Sequence, residues 1–251
     1  MNPLGQTRSH VAPDHAVITP DTHVWAPLPG WTGATAAIHI SPALGARFTQ
    51  ATVVLEAEGR CGLTAGGIER VLYPLAGQLQ VAGAGAKPQP FLPGDFLYLP
   101  AGCDWQVAAV EPARLAMFEK RFQPLAGVPA PEPLLGRVAN AEGVPFMGDP
   151  DARLQTLLPT DERFDMAVNV FTYQPGAALP RVEIHVMEHG LLMLDGAGVY
   201  RLGDCWYPVQ AGDVIWMRSF CPQWFVAMGK TPARYLYYKD VNRDPLSGPA
   251  A

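Results

Sequence analysis

The stretch L-L-M-L-D-G-A-G-V, which runs from Leu191 to Val199, decides the fold because it has a counterpart, V-L-Y-P-L-A-G-Q-L, at residues 71–79. Two more segments of the same region have earlier counterparts. The pairs are P-G-D-F-L-Y-L-P (93–100) with A-G-D-V-I-W-M-R (211–218), and P-A-R-L-A-M-F-E-K (112–120) with P-A-R-Y-L-Y-Y-K-D (232–240). The offset stays at about 120 residues, and self-similarity at a fixed offset is typical of a repeated unit. The sequence therefore predicts two copies of one domain.

Short apolar runs separated by glycine turns fill both copies. In turns such as D-G-A-G and Q-A-G-D, glycine supplies a positive φ and aspartate bonds the backbone. Regularly spaced short strands favour a sandwich or a jelly-roll barrel, so we expect an all-β chain. The strands predicted for the second copy are His189–Leu194, Val199–Leu202, Cys205–Val209, Val214–Met217, Gln223–Ala227 and Arg234–Lys239.

A proline-rich segment, Q-P-L-A-G-V-P-A-P-E-P, separates the copies at residues 123–133. Its prolines and its lack of periodicity are typical of a linker. We therefore expect an N-terminal barrel at residues 1–122 and a C-terminal barrel at residues 134–251.

The composition excludes several classes of protein. Of 251 residues, 25 are glycine and 26 proline, while 16% are charged and 49% hydrophobic. This argues against a helical bundle, and a chain this apolar builds a core instead of remaining disordered. A net charge of −5 argues against nucleic acid or an anionic membrane as partner. Because residues 1–14 lack the apolar core of a signal peptide and no apolar run approaches ~18 residues, we expect a soluble, cytoplasmic protein.

The cysteines are widely spaced and form no C-x-x-C pair, so we expect reduced, buried thiols instead of a zinc or redox centre. They are Cys61, Cys103, Cys205 and Cys221.

Candidate metal ligands collect in one segment, P-G-A-A-L-P-R-V-E-I-H-V-M-E-H-G-L-L-M-L-D-G, at residues 175–196. Residues i and i+2 of a strand point to the same face, so we expect Glu183 and His185 to face together while His189 opens the next strand. Glu188 points the opposite way in this arrangement, toward solvent or behind the ligands. For the other histidines we expect structural roles: His10 and His15 fall in the polar N-terminal tail, and the remaining two are His23 and His39.

This segment, together with the later Gln223, resembles the metal-binding motifs of the cupin superfamily, G-x5-H-x-H-x3,4-E-x6-G and G-x5-P-x-G-x2-H-x3-N. The resemblance implies barrels of the double-stranded β-helix, or jelly-roll, type with a metal ion held by four side chains. The ligand types are permuted here. Glu183 stands in place of the first His and His185 is the second. His189 takes the place of the Glu, and Gln223 takes that of the last His.

The permuted set followed by Pro-Gln-Trp resembles the second barrel of the (S)-ureidoglycine aminohydrolase family, whose members are bicupins. Residues 17–24 (V-I-T-P-D-T-H-V), 200–217 (Y-R-L-G-D-C-W-Y-P-V-Q-A-G-D-V-I-W-M) and 238–243 (Y-K-D-V-N-R) are similar to the same family. The resemblance implies two tandem cupin barrels and hydrolysis of (S)-ureidoglycine to (S)-ureidoglycolate and ammonia, in the breakdown of allantoin and other purine ureides. It also implies one Mn²⁺ per chain, held by Glu183, His185, His189 and Gln223. Such a mixed oxygen and nitrogen set also suits Fe²⁺ as the alternative.

Alternation along the last predicted strand puts Tyr235, Tyr237 and Lys239 on one face. The family resemblance implies that Tyr235, Lys239 and Tyr200 bind the substrate. Our hypothesis makes Lys239, hydrogen-bonded by Tyr235, the acid and base of the reaction, because an ammonium group near a metal ion has a depressed pKa. Glu183, doubling as ligand and base, is the alternative.

The first copy has no comparable ligand set. The offset places Trp105 where Gln223 stands in the second copy, and we expect this indole to fill the cavity of an N-terminal barrel without metal. The residues at the four ligand positions are Thr64, Gly66, Arg70 and Trp105.

Two other functions fit the same residues. One is an Fe²⁺-dependent cupin dioxygenase, which would consume O₂; the other is a non-catalytic bicupin that binds a small molecule. Whether the protein is an aminohydrolase or a dioxygenase, we expect a small-molecule substrate, and for the aminohydrolase this substrate is a ureide. We also expect a homo-oligomer without nucleic-acid or membrane partners.

Overall fold

The computed structural model describes residues 6–62 and 66–244, and this part of the chain consists of β-strands, turns and three single-turn 3₁₀ helices. The 3₁₀ helices are Pro20–Thr22, Pro42–Leu44 and Val138–Asn140. None of the helices within the described ranges has the length and apolar character that crossing a membrane requires. The expectation of an all-β fold is confirmed.

The N-terminal segment carries β1 (His10–Val11) and β2 (His15–Ile18). The strands that follow are β3 (Trp25–Pro27), β4 (Thr32–Ile40), β5 (Thr49–Arg60), β6 (Ile68–Ala76), β7 (Leu79–Ala82), β8 (Gln89–Phe91), β9 (Asp95–Leu99), β10 (Gln106–Ala109), β11 (Ala113–Arg121) and β12 (Leu134–Arg137). The last strands are β13 (Gly143–Phe146), β14 (Asp149–Thr156), β15 (Met166–Tyr173), β16 (His189–Asp195), β17 (Ala197–Leu202), β18 (Cys205–Gln210), β19 (Val214–Met217), β20 (Gln223–Met228) and β21 (Ala233–Asp240).

The strands predicted for the second copy agree with β16 to β21 to within two residues at either end. The repeated glycine turns agree as well: Gly77 and Gly196 have φ angles of 79° and 71°. A Cβ at either position would overlap a backbone carbonyl oxygen, that of Pro112 or that of Pro232. Glycine is therefore required at the same point of both copies.

The described residues divide into two compact units whose boundaries differ from the expected 1–122 and 134–251. Strand β2 pairs with β19, and Arg8 donates two hydrogen bonds to the buried Asp213 carboxylate, at 2.7 and 2.9 Å. Strand β12 pairs with β9. Because these backbone ladders cross the expected boundaries, the first strands belong to the C-terminal unit and β12 to the N-terminal unit. Between β11 and β12 the chain forms no strand.

The C-terminal unit contains residues 6–23, 141–160 and 165–244. Eight strands form one sheet in the order β1-β2-β19-β16-β21-β15-β14-β13, and β18-β17-β20 form a second sheet. The core of this unit gathers inward side chains from both sheets, among them Tyr173, Leu202, Ile215 and Phe225.

The N-terminal unit contains residues 24–62, 66–140 and 161–164. Its main path runs β12-β9-β6-β11-β5-β10-β7-β8, with β4 pairing β5 and β3 pairing β4. The long β5 pairs with β4, β10 and β11 and so links the parts of the sheet. Apolar residues such as Val53, Leu72, Phe91 and Leu115 fill its core.

Candidate active site

Three strands of the C-terminal unit carry a row of side chains. His189 on β16 pairs with Met217 on β19 and with Lys239 on β21. Directly paired residues of antiparallel strands point to the same face, and the two-residue period adds Tyr235 and Tyr237 to that face. The sheet thus brings an imidazole, an ammonium group and two phenols to one place.

These side chains line a cavity of about 150 Å³. A cavity of roughly this volume accommodates a molecule the size of benzene, so the ligand that fits is small. Its apolar walls include Phe171, Leu179 and Leu191. The cavity also brings together all the site residues that the sequence predicts: Glu183, His185, His189, Tyr200, Gln223, Tyr235 and Lys239.

The two imidazoles meet inside this cavity. Nε2 of His185 lies 3.1 Å from Nε2 of His189 and 2.9 Å from the side-chain nitrogen of Gln223. Nδ1 of His185 lies 3.2 Å from the carbonyl oxygen of Met187, which can only accept. This contact assigns the His185 proton to Nδ1 and leaves the lone pair of Nε2 facing the cavity. Burial lowers the pKa of His189 well below its ordinary value, so this imidazole is neutral at neutral pH.

Glu183 reaches the cavity from an irregular segment, and the strand expected around Glu183 and His185 is wrong. An isolated bridge joins Glu183 to Gln223, through backbone N–H to O distances of 2.8 and 3.0 Å. The N–H of Leu179 bonds Phe225 and that of Glu183 bonds Gln223, so four residues of this segment span two residues of β20. The segment therefore departs from a regular ladder before Glu183. Glu183 and His185 nevertheless both line the cavity.

The donor set fits a divalent ion. Ligand atoms ~2.1 Å from an octahedral ion lie about 3.0 Å apart, close to the separation of the two Nε2 atoms. A half-turn of the Gln223 amide brings its oxygen to the place of its nitrogen. Glu183 lines the same cavity as the two imidazoles and supplies the carboxylate of the set.

Lys239 is the one lysine or arginine among the described residues that line the cavity. Burial lowers the pKa of its ammonium group, and the carboxylates of Glu183 and Asp240 oppose this effect. The lowered pKa brings the loss of its proton closer to neutral pH than for an exposed lysine.

The hydroxyl of Tyr235 lies 3.0 Å from that of Tyr173 and also bonds Tyr200. The expected hydrogen bond between Tyr235 and Lys239 is therefore wrong. Residues four apart on a strand are separated by about 13 Å, so their side chains cannot meet even though they share a face.

The tyrosines of the cavity are hydrogen-bond donors at neutral pH. Burial raises the pKa of Tyr200, Tyr235 and Tyr237 above the ordinary phenol value. Tyr237 also bonds the side chain of Asn169, its partner across β15 and β21. Asn169 and Tyr173 are buried supports that the sequence did not reveal, because only the strand register shows which residues they face.

Glu188 is buried and does not point to solvent. Its carboxylate accepts a hydrogen bond from Nε1 of Trp216 at 2.6 Å. In the N-terminal unit the hydroxyl of Tyr98 donates to buried Glu69 at 2.7 Å. The repeat therefore preserves a buried pair of carboxylate and aromatic donor in both units.

In the N-terminal unit, an ion pair occupies the strand positions that correspond to His189 and Lys239 of the C-terminal unit. Arg70 pairs with Glu119 across β6 and β11, as His189 pairs with Lys239 in the other unit. Nε and Nη2 of Arg70 lie 2.7 and 2.6 Å from one Glu119 oxygen, and Arg70 is 4% exposed. Trp105 packs against the core. Thr64 lies outside the described residues, and Gly66 has no side chain to offer.

Two expectations about other residues need correction. All four cysteines are free, but only Cys221 is buried and Cys205 is exposed. His15 does not belong to a polar tail; it lies on β2 and is 4% exposed.

The chain is similar to known proteins in both sequence and structure. The cupin-domain family model matches residues 169–238. The chain is 41% identical over 244 residues to (S)-ureidoglycine aminohydrolase of Arabidopsis thaliana, covering 96% of this chain and 80% of that protein. It is 35% identical to (S)-ureidoglycine aminohydrolase of Escherichia coli K12, covering 91% and 89%. The crystal structure of protein Ylba from E. coli superimposes with a TM-score of 0.84 at 31% identity, covering 95% and 96% of the two chains.

Proposed function

Because the chain belongs to the (S)-ureidoglycine aminohydrolase family of cupins, we propose that it converts (S)-ureidoglycine and water to (S)-ureidoglycolate and ammonia. The reaction replaces the amine on one carbon of a small molecule with a hydroxyl. It therefore makes the protein a hydrolase that acts on a non-peptide C–N bond.

One observation carries this proposal: the candidate ligands, the tyrosines and Lys239 line a single cavity of about 150 Å³. Ureidoglycine is small, and it carries a carboxylate, an ureido group and an amine. The cavity offers an ammonium group, phenolic donors and ligands for a cation, so each polar group of this substrate has a counterpart.

Glu183, His185, His189 and Gln223 are the residues that would hold Mn²⁺. A carboxylate, two imidazoles and an amide oxygen suit Mn²⁺ or Fe²⁺ better than a closed tetrahedral zinc site. When bound, the ion supplies Lewis-acid polarisation and a fixed point for the substrate carboxylate.

The chain's own residues supply the proton transfers and the orientation. We propose that Lys239 gives a proton to the departing amine and takes one from the entering water, since a single group with a lowered pKa can do both in sequence. Tyr200 and Tyr235, protonated at neutral pH, donate hydrogen bonds that orient the substrate. The apolar walls around Phe171 and Leu191 exclude bulk water.

Ammonia release tests the proposal. Allantoate amidohydrolase generates (S)-ureidoglycine in situ, and ammonia and the chirality of the product are measured with chelator-treated protein before and after addition of Mn²⁺. We expect a rate that depends on Mn²⁺ and an (S)-configured product. His185→Ala should lose both the ion, measured by elemental analysis, and the activity. His39→Ala removes an imidazole from the other unit and should keep both.

Oxygen consumption without ammonia release, or activity with Fe²⁺ but not Mn²⁺, would contradict this assignment and favour a dioxygenase. No ammonia above the spontaneous rate with either metal would leave binding as the remaining function.

A further inference from the structure

A second group of potential metal ligands lies in the C-terminal unit, outside the cavity. Asp14, His15 and Cys221 each offer one ligand atom, and these atoms all lie within 4.8 Å of one another. His15 and Cys221 are each 4% exposed, whereas Asp14 is partly exposed. None of the three lines the cavity that holds Glu183.

Neighbouring groups hold the imidazole in place. Nδ1 of His15 lies 2.8 Å from a carboxylate oxygen of Asp14, and Nε2 lies 2.8 Å from the hydroxyl of Tyr207. Because a carboxylate can only accept, this contact places the His15 proton on Nδ1. A cation bound at the cluster would take the place of that proton, and Nε2–H would then donate to the hydroxyl of Tyr207. An outer hydrogen bond that fixes the tautomer of a histidine is the usual support of a metal ligand.

The charge of the cluster also favours a cation. In residues 6–62 and 66–244, the Asp14 carboxylate bonds His15 and Cys221, and no lysine or arginine side chain pairs with it. The hairpin at Gly203 covers the cluster, because a Cβ on this glycine would come within 3.9 Å of Asp14 and His15. A half-buried carboxylate beside a thiol and an imidazole thus lacks a positive partner.

We propose that Asp14, His15 and Cys221 bind Zn²⁺. One carboxylate, one imidazole and one thiolate are the ligand types of zinc, and the softness of the sulfur distinguishes this set from the oxygen and nitrogen ligands around Glu183. Solvent on the Asp14 side supplies the fourth position. The site joins β2 to the loop before β20, two segments far apart in sequence, and so fastens the N-terminal segment to the unit. A cross-link that closes a long loop is the kind that restricts the unfolded chain most.

Cobalt spectroscopy on full-length protein tests this site. The variants are made in a His185→Ala background, which disables the metal site around Glu183. Any ion that this background protein binds, expected at one per chain, then reports on the site formed by Asp14, His15 and Cys221. We expect Co²⁺ to give a near-ultraviolet thiolate-to-metal band that Zn²⁺ abolishes by displacement. Cys221→Ser in this background should lose the band, and Asp14→Asn should weaken Zn²⁺ binding at least 10-fold. Cys61→Ser, which removes a thiol from the N-terminal unit, should change neither.

Asp14→Asn keeps the test decisive if Cys221→Ser does not fold, because this side chain is partly exposed and distant in sequence from Gln223. A background protein that binds no Zn²⁺ at micromolar concentration would overturn the proposal. Equal Zn²⁺ affinity in the background protein and its Asp14→Asn variant would do the same.

Discussion

At Lys239 the cavity holds an ammonium group next to a neutral imidazole and close to a carboxylate. Burial lowers the pKa of Lys239 while Glu183 and Asp240 raise it, so the side chain is neither a fully solvated cation nor an isolated buried one. Lys239 pairs with His189 on the neighbouring strand, and this register places the two side chains beside each other on the cavity face.

We therefore expect Lys239→Met to lower kcat by about 10²–10⁴-fold, the usual range for loss of a general acid or base. Bound Mn²⁺, measured by elemental analysis, should stay at the wild-type level because Lys239 is not a ligand. Lys230→Met changes an exposed lysine of a turn and serves as the control. Wild-type kcat in Lys239→Met would move the proton transfers to another group, with Glu183 the next candidate.

The residues of the site differ in how far sequence could identify them. Glu183, His185 and His189 fall within one short segment, and the alternation of β21 correctly grouped Tyr235, Tyr237 and Lys239. The partners Tyr173, Asn169 and Trp216 come from distant strands, and their contacts follow from register, which a period-two pattern does not specify. The sequence therefore predicts the residues that line the cavity better than the residues that hold those side chains in place.

Among the elements, the turn between β16 and β17 shows a backbone requirement. Gly196 combines a positive φ of 71° with a close approach to the backbone of Pro232 and Ala233. Gly176 has a similar φ of 86°, but nothing lies within 4 Å of a Cβ placed there. Comparing Gly176 with Gly196 therefore separates two free-energy costs of adding a side chain: that of a left-handed backbone and that of overlap with neighbouring atoms.

Gly176→Ala should lower the free energy of unfolding by about 1–2 kcal/mol, the cost of a left-handed backbone for an alanine. Gly196→Ala should lower it further, by about 3 kcal/mol or more, because the added methyl also overlaps backbone atoms that cannot move independently. Urea unfolding followed by circular dichroism measures both. Equal losses in the two variants would mean that the turn relaxes around the methyl group.

The strands of the second copy were predictable because glycine turns and apolar runs mark their ends. The segment before β16 was not, because its alternating residues resemble a strand while four residues, from Leu179 to Glu183, span only two residues of β20. Its irregular course is set by an isolated bridge to Gln223, a contact between positions 40 residues apart (223 − 183) that no local pattern signals.

At the scale of the whole molecule, the repeat predicted two barrels but not their exact membership. Strand β2 completes the sheet of the C-terminal unit, and β12 that of the N-terminal unit. Both pairings follow from backbone hydrogen bonds between distant segments. The expected homo-oligomer remains a prediction.

Substitutions in each core test this membership. Val17 and Val53 are 1% and 0% exposed, in the C-terminal and N-terminal cores respectively. Valine to alanine at either site should cost roughly 2 kcal/mol. In calorimetry, Val17→Ala should lower the transition that Mn²⁺ raises, whereas Val53→Ala should lower the other. A shift of the Mn²⁺-sensitive transition by Val53→Ala alone would reverse the assignment.

The pairing of β2 with β19 also affects how the protein is made. The ribosome releases β2 early, but its partner strand follows roughly 200 residues later, about 10–40 s at ordinary rates of synthesis. Through that interval the segment at His15–Ile18 has no sheet to join, although the N-terminal unit can fold meanwhile. The time that the nascent chain spends with an unpaired β2 is therefore set by the length of the inserted N-terminal unit together with the strands of the C-terminal unit that precede β19.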